Sequence, residues 1–346
     1  MNQRITRRTH LKQAVALAAG ALSTEPLRAA EASRFPLKKD TFGLPPQGKK
    51  IPVIFDTDIG DDIDDTWALL MLLKSPELDV RLVASDGGNA MYRARLLAKL
   101  LEAFGRSDVP IAVGLDPADR RGRQSPWVGD YDLTRYPGKV HRDGVAALID
   151  TMQKSAGPVT LVCTGPVPNI AEVLLRDSSI CQHARFVGMH GSVRRGYNGQ
   201  AKTSPEYNVR ANPKALQSVF AAPWDVSITP LDTCGIVQLK GEKFRKVYES
   251  RSRGVTALME NYRVWATDGG RSKKGPDPAK ISSILFDTVA IYMAFSEDLL
   301  EMESLPLRVT DEGMTIVEQG ARTVHCALNW KDLGAYEDLL VSRVTA

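Results

Sequence analysis

A chain of 346 residues that is 43% hydrophobic and 25% charged has ordinary globular composition, enough for one large α/β domain. Its formal charge of +4 is unevenly placed: Arg4, Arg7, Arg8, Lys12 and Arg28 against Glu25 and Glu31 put +3 of it within residues 1–32. The remaining +1 excludes an electrostatic case for binding a nucleic-acid polymer.

Residues 1–32 read as an export signal. The basic stretch ending in Thr6-Arg7-Arg8-Thr9-His10-Leu11-Lys12 precedes the apolar run Ala14–Leu22, and Ala30-Glu31-Ala32 supplies a small-x-small cleavage site. That run is too short to span a bilayer, so no stable membrane anchor is expected. The paired arginines resemble a twin-arginine signal, with His10 where an aromatic is usual, and a periplasmic or secreted location follows. A disordered basic tail on a cytosolic protein is the competing reading. Residues 33–50, rich in Pro, Lys and Gly, read as a linker, and residues 51–346 as a single domain.

Within that domain short apolar runs alternate with helical patterns. Ile51–Phe55 ends in acidic residues before the apolar helix-like stretch Thr66–Lys74. Val80–Ser85 leads through Gly87-Gly88-Asn89 into a helix reaching Phe104, and Val159–Cys163 leads through Thr164-Gly165-Pro166 into Ile170–Leu175. Phe186–Met189 leads into His190-Gly191, and Val226–Leu231 into another turn. The pattern predicts an α/β fold: an open, doubly wound, mostly parallel sheet with helices on both faces, with a helical insertion around residues 240–280. Ligands in such sheets bind beyond the C-terminal strand ends, so Asp56, Asp58, Asn89, Thr164 and His190 would converge on one edge. The clusters Arg120-Arg121-Gly122-Arg123 and Arg271-Ser272-Lys273-Lys274 read as solvated loops. Cys163, Cys181, Cys234 and Cys326 form no CxxC pair, which argues against zinc.

Asp56-Thr57-Asp58-Ile59-Gly60-Asp61-Asp62-Ile63-Asp64-Asp65 places six carboxylates within ten residues. A folded site would protonate some of them unless a cation is present. Carboxylate oxygens without Cys or His suit a hard divalent ion, and calcium accepts six to eight such ligands. Helix capping accounts for Asp64 alone, not for the whole run. A metal held here can lower the pKa of a bound water and grip a diol, with a neighbouring carboxylate as proton acceptor.

An apolar strand running into Asp56-Thr57-Asp58-Ile59-Gly60, with Asp64-Asp65 before an apolar helix, resembles the inosine–uridine nucleoside hydrolase family. Five further segments resemble it in order: Gly88-Asn89, Val140-His141-Arg142-Asp143-Gly144, Thr164-Gly165-Pro166 through Asn169, Met189-His190-Gly191 with Glu206-Tyr207-Asn208, and Leu285-Phe286-Asp287. The resemblance implies hydrolysis of the N-glycosidic bond of ribonucleosides to free base and ribose, a calcium cofactor, and a homodimer or homotetramer. It implies that Asp58 is both metal ligand and the base that activates a calcium-bound water. Asp65, the backbone carbonyl of Thr164 and Asp287 would complete the metal shell, with Asp56 supporting from behind. Asp64, Asn89, Glu206 and Asn208 would hold the ribose hydroxyls, and His141, Met189, Gln200 and Phe286 would line the substrate site.

Three departures stand out. The acidic loop is about two residues longer than the family's common form, so Asp61 and Asp62 compete with Asp64 and Asp65, and Asp62 is an alternative ligand; the later pair is favoured because it directly precedes the helix. Phe286 stands where many members carry a proton-donating His; an aromatic there favours stacking on a purine. Gln200 stands where an Asn is usual, with the same amide chemistry on a longer arm. Two other readings stay open. An exported protein that binds a nucleoside or sugar without turnover is one, suggested by Phe286. A haloacid dehalogenase-type phosphatase is the other, suggested by the strand into Asp56-Thr57-Asp58, though no Asp-Asp pair follows Asp65.

Overall fold

The computed structural model describes residues 49–267 and 276–346. The expected export signal, the linker up to residue 48 and the basic stretch Arg271–Lys274 lie outside the described residues.

The apolar runs form the strands of a ten-stranded sheet: β1 Ile51–Thr57, β2 Leu78–Ser85, β3 Ile111–Val113, β4 Val140–His141, β5 Val159–Cys163, β6 Ala184–Met189, β7 Val226–Thr229, β8 Leu300–Val309, β9 Thr315–Val317 and β10 Thr323–Trp330. Their order is β4-β3-β2-β1-β5-β6-β7-β10-β8-β9. Every pairing from β4 to β10 is parallel, while β8 runs antiparallel to both β10 and β9. The α/β class and the mostly parallel sheet are as expected; the antiparallel end is an addition. The expected helical insertion is present as Gly241–Glu249 and Arg253–Thr267.

Side chains on a strand alternate between faces, and β1 shows why its run is continuously apolar. Val53 and Phe55 enter one core with Trp67 and Leu69 of the Asp64–Lys74 helix, whereas Ile54 enters the other with Leu161 and Phe186. With both faces covered, β1 has no solvent side. Burying side chains as large as Phe55 and Trp67 stabilises each face by roughly 1.5–3 kcal/mol per residue.

The chain steps outward from β1 through β2 and β3 to β4, then returns to lay β5 on the other side of β1 and steps through β6 to β7. The order therefore reverses between β1 and β5, and the loops leaving their C-terminal ends diverge to open a crevice. Two backbone hydrogen bonds fix its floor: Thr164 N donates to Asp56 O at 2.9 Å, and Asp86 N to Thr57 O at 2.8 Å. Only glycine fits at Gly165, because a Cβ there would meet the Asp86 carboxylate and lie 2.9 Å from Asp58 Cβ. Among the described residues no helix is long and apolar enough to cross a membrane.

Candidate active site

The acidic loop is built by local anchors. Ile59 and Ile63 are fully buried, and Gly60 turns at a φ of 122° with the Tyr92 ring packed against it. The helix Asp64–Lys74 then starts on Asp64 and Asp65, carboxylates in a first turn whose free N–H groups favour negative charge. Arg93, only 3% exposed, ties the loop to its neighbour. It donates to Ile59 O at 2.9 Å and Gly87 O at 3.0 Å, pairs with Asp61 Oδ2 at 3.0 Å and lies 3.9 Å from Asp58 Oδ2. The longer loop is thus absorbed structurally: Arg93 holds Asp61, Asp62 Oδ1 accepts from Ile63 N at 2.8 Å, and Gln124 Nε2 donates to Asp62 O at 2.7 Å.

Asp64, Asp65 and Asp287 come together, with one oxygen from each within 4.8 Å of the others. All three are buried. Asp287 N donates to Asp64 Oδ2 at 3.3 Å, and Asp65 Oδ1 accepts from the hydroxyls of Thr57 and of Thr164, the latter at 3.0 Å. Burial raises every carboxyl here above its ordinary range, and mutual repulsion raises Asp58, Asp64 and Asp287 further. Asp65 reaches about 6, pushed up by burial and held back by its hydroxyl donors and Arg93. Carboxylates this crowded either share protons or surround a cation, and an all-oxygen set fits a hard divalent ion. Asp58 lines the same cavity without joining the trio, and neither does Asp62.

A cavity of about 390 Å³ opens above this floor. Asp58, Asp62, Asp64, Asp65, Thr164 and Asp287 form the floor and near side; Met189, Glu206, Asn208 and Phe286 stand on the walls. Glu206 caps the helix Tyr207–Ala211 by accepting from Asn208 N at 2.8 Å and Val209 N at 3.3 Å, and takes Gly191 N at 3.1 Å. Burial nonetheless pushes its carboxyl up to about 7. Asn208 Nδ2 donates to Thr164 O at 3.0 Å and Met189 O at 3.1 Å, so the carbonyl expected to face a metal also carries a side-chain donor.

Asp56, expected only to support from behind, does not line the cavity, and its Oδ2 accepts from Asn169 Nδ2 at 2.8 Å. Four other sequence expectations are placed elsewhere. Asn89 ends up at the start of the helix Ala90–Ala103, and it is Arg93, one turn later, that reaches the acidic loop. His141 is on β4, at the sheet edge three strands from β1, and does not line the cavity. Gln200 is exposed, because the turn Gly196–Gln200, with Asn198 at a φ of 57°, carries it outward; Tyr197 lines the cavity instead. His190 is buried, 2.9 Å from Gly165 O, rather than in the cavity.

Other site residues are not singled out from the sequence. Asp86 follows β2 as Asp58 follows β1, and its carboxylate accepts from Gly87 N at 2.7 Å and Val167 N at 2.9 Å. Its place after a strand was the one available clue. Tyr207 also lines the cavity, and Arg123, expected in a solvated loop, is half-buried on its wall.

Comparison with known proteins agrees with this geometry. The family model "Inosine-uridine preferring nucleoside hydrolase" matches residues 53–334. The non-specific ribonucleoside hydrolase RihC of Escherichia fergusonii is 29% identical over 233 residues, covering 64% of this chain and 75% of that protein. The pyrimidine-specific ribonucleoside hydrolase RihA of Salmonella enteritidis is 28% identical over 236 residues, covering 63% and 73%. A plant nucleoside hydrolase structure superposes with a TM-score of 0.70 at 22% identity, covering 86% of this chain and all of that one. With its carboxylate floor at the sheet's switch point and a family match across nearly the whole described region, the chain belongs to the inosine–uridine preferring nucleoside hydrolases and is a hydrolase of N-glycosyl compounds.

Proposed function

We propose that this enzyme hydrolyses ribonucleosides with calcium as its metal, using Asp58 as the base. The observation that carries the proposal is the gathering of Asp64, Asp65 and Asp287 beside Asp58 in one cavity that also presents Glu206 and Asn208. The trio, with Asp58 and the Thr164 carbonyl, would hold the ion. Calcium bound there would neutralise the crowded carboxylates and supply Lewis acidity toward water and the sugar diol.

The protein's own residues do the remaining work. Asp58 accepts a proton from the attacking water while the bond from C1′ to the base nitrogen stretches. The surrounding carboxylates stabilise the positive charge that develops on the sugar. Asn208 has its amide nitrogen fixed by Thr164 O and Met189 O, so its Oδ1 is the atom offered to a sugar hydroxyl. Glu206 accepts from another. No covalent sugar–carboxylate bond is needed, so water ends on the face opposite the departing base.

A purine is favoured by the aromatic corner in which Tyr197 meets Phe286 edge-on, with centroids 6.1 Å apart at 84°. The N-terminal segment supports export, so we place the mature enzyme in the periplasm or outside the cell. The test is to incubate the protein with purine and pyrimidine nucleosides, with calcium and with chelator, and to assay reducing sugar. Absence of base release from every nucleoside overturns the reading.

A further inference from the structure

Among the described residues, the cavity wall holds one cation: Arg123 is the only Lys or Arg of that lining, against seven carboxylates. Its guanidinium lies over the Trp265 ring at 4.2 Å and donates through Nη2 to Trp265 O at 3.1 Å. Trp265 is itself pinned, its Nε1 donating to Asp61 O at 3.0 Å. The next residue, Gln124, is clamped to the acidic loop through Asp62 O at 2.7 Å and accepts from Thr66 Oγ1 at 3.3 Å. Arg123 is therefore fixed from both sides, and its one hydrogen-bond acceptor among the described residues is Trp265 O, its Nε being buried without a partner. A guanidinium carries five N–H donors, so Arg123, on the cavity lining, keeps donors for a ligand acceptor.

The substrate's sugar end is claimed by the carboxylate floor and by Glu206 and Asn208. What remains for the base is the wall of Met189, Tyr197, Tyr207, Phe286 and Arg123, in which Arg123 is the charged donor. Phe286 cannot donate a hydrogen bond. Building on the nucleosidase reading above, the geometry points to Arg123 as the residue that contacts the departing base and stabilises the electron pair it receives. As the C1′–N bond breaks, its pair moves onto the base nitrogen, and the water oxygen bonds C1′ with its proton passing to Asp58. Arg123 donates hydrogen bonds to a ring nitrogen or carbonyl oxygen of the base but keeps its protons; the base nitrogen takes a proton from solvent, and Asp58 later returns its own.

Two substrates separate this role from a merely structural one. Inosine leaves as a poor base anion that needs stabilisation, whereas 4-nitrophenyl ribofuranoside carries a leaving group that holds its own charge. Arg123→Gln should lower kcat on inosine by roughly a hundredfold, the scale for losing a fixed donor at developing charge. It should leave the nitrophenyl riboside within about threefold of the parent, because sugar binding and water activation are untouched. Arg123→Lys, which keeps charge without the fork, should fall between. Equal losses on both substrates, or no loss on inosine, overturn the assignment while leaving the nucleosidase reading intact. If the parent releases no base from any nucleoside but cleaves the nitrophenyl riboside, the nucleosidase reading fails and this assignment falls with it.

Discussion

Arg93 Nη2 stands 3.9 Å from Asp58 Oδ2 and 3.0 Å from Asp61 Oδ2, a buried cation set between the proposed base and the longer part of the acidic loop. The same guanidinium ties the backbone after β1 to the backbone after β2. Its loss should therefore be felt in stability as well as in rate. Because the Asp61 side chain is 45% exposed, the main loss in Arg93→Met is the buried acceptors left unsatisfied, and we expect a destabilisation of about 2 kcal/mol. Adding Asp61→Leu should recover little, since the two carbonyls stay unsatisfied; full recovery in denaturant titration would show that the Asp61 pair was the whole effect.

Asp58→Asn keeps size and most hydrogen-bonding capacity but cannot take a proton. Turnover should fall by at least roughly a hundredfold, the scale of general-base contributions, with the fold intact in far-ultraviolet circular dichroism. Near-normal kcat would remove Asp58 from the base role.

Ion capture should register as folding free energy, because the trio is built only in the native state. At calcium one hundred times its dissociation constant the gain is about 2.7 kcal/mol. Thermal unfolding with calcium and with chelator measures it, and Asp287→Asn should shrink the difference. An unchanged Tm on adding calcium to the chelated parent contradicts the proposed cofactor.

His190 supplies a pH test away from the carboxylates. Burial holds its imidazole down at about 4, against an ordinary value of 6.5. The unfolded chain therefore binds this proton more readily than the fold does, and stability is lost as pH falls from 6.5 toward 4. At about 1.4 kcal/mol per pH unit, the loss reaches roughly 3 kcal/mol. The carboxyls with raised values act in the opposite direction, so the measurement is the difference between the parent and His190→Leu across that window. A difference that stays flat with pH rejects the assignment.

How much could be read beforehand follows from where each signal resides. β1 and β5 are continuous apolar runs ending in unusual polar residues, and both features are local, so the strands, the acidic loop and Thr164 were legible. β3 and β4, of three and two residues, are too short to carry a period. β8 alternates burial irregularly and contains Pro306, so its antiparallel pairing is decided by β10 rather than by its own sequence. Arg123 reads as part of a solvated loop and Arg93 carries no signal at all, because nothing local says that Ile59 O, Asp61 or Trp265 will lie beside them. The same holds for Tyr197 and Gln200, where one left-handed residue in the turn decides which side chain faces inward.

Asp64 and Asp287 stand 223 positions apart in the chain yet meet through a single hydrogen bond. A nascent polypeptide released early, or one whose late segments have not docked, can present at most two of the three gathered carboxylates. The proposed ion would therefore be recruited only after the chain as far as Asp287 has docked, so it would fasten a nearly assembled molecule instead of nucleating one. Metal occupancy would then mark chains that completed this long-range closure.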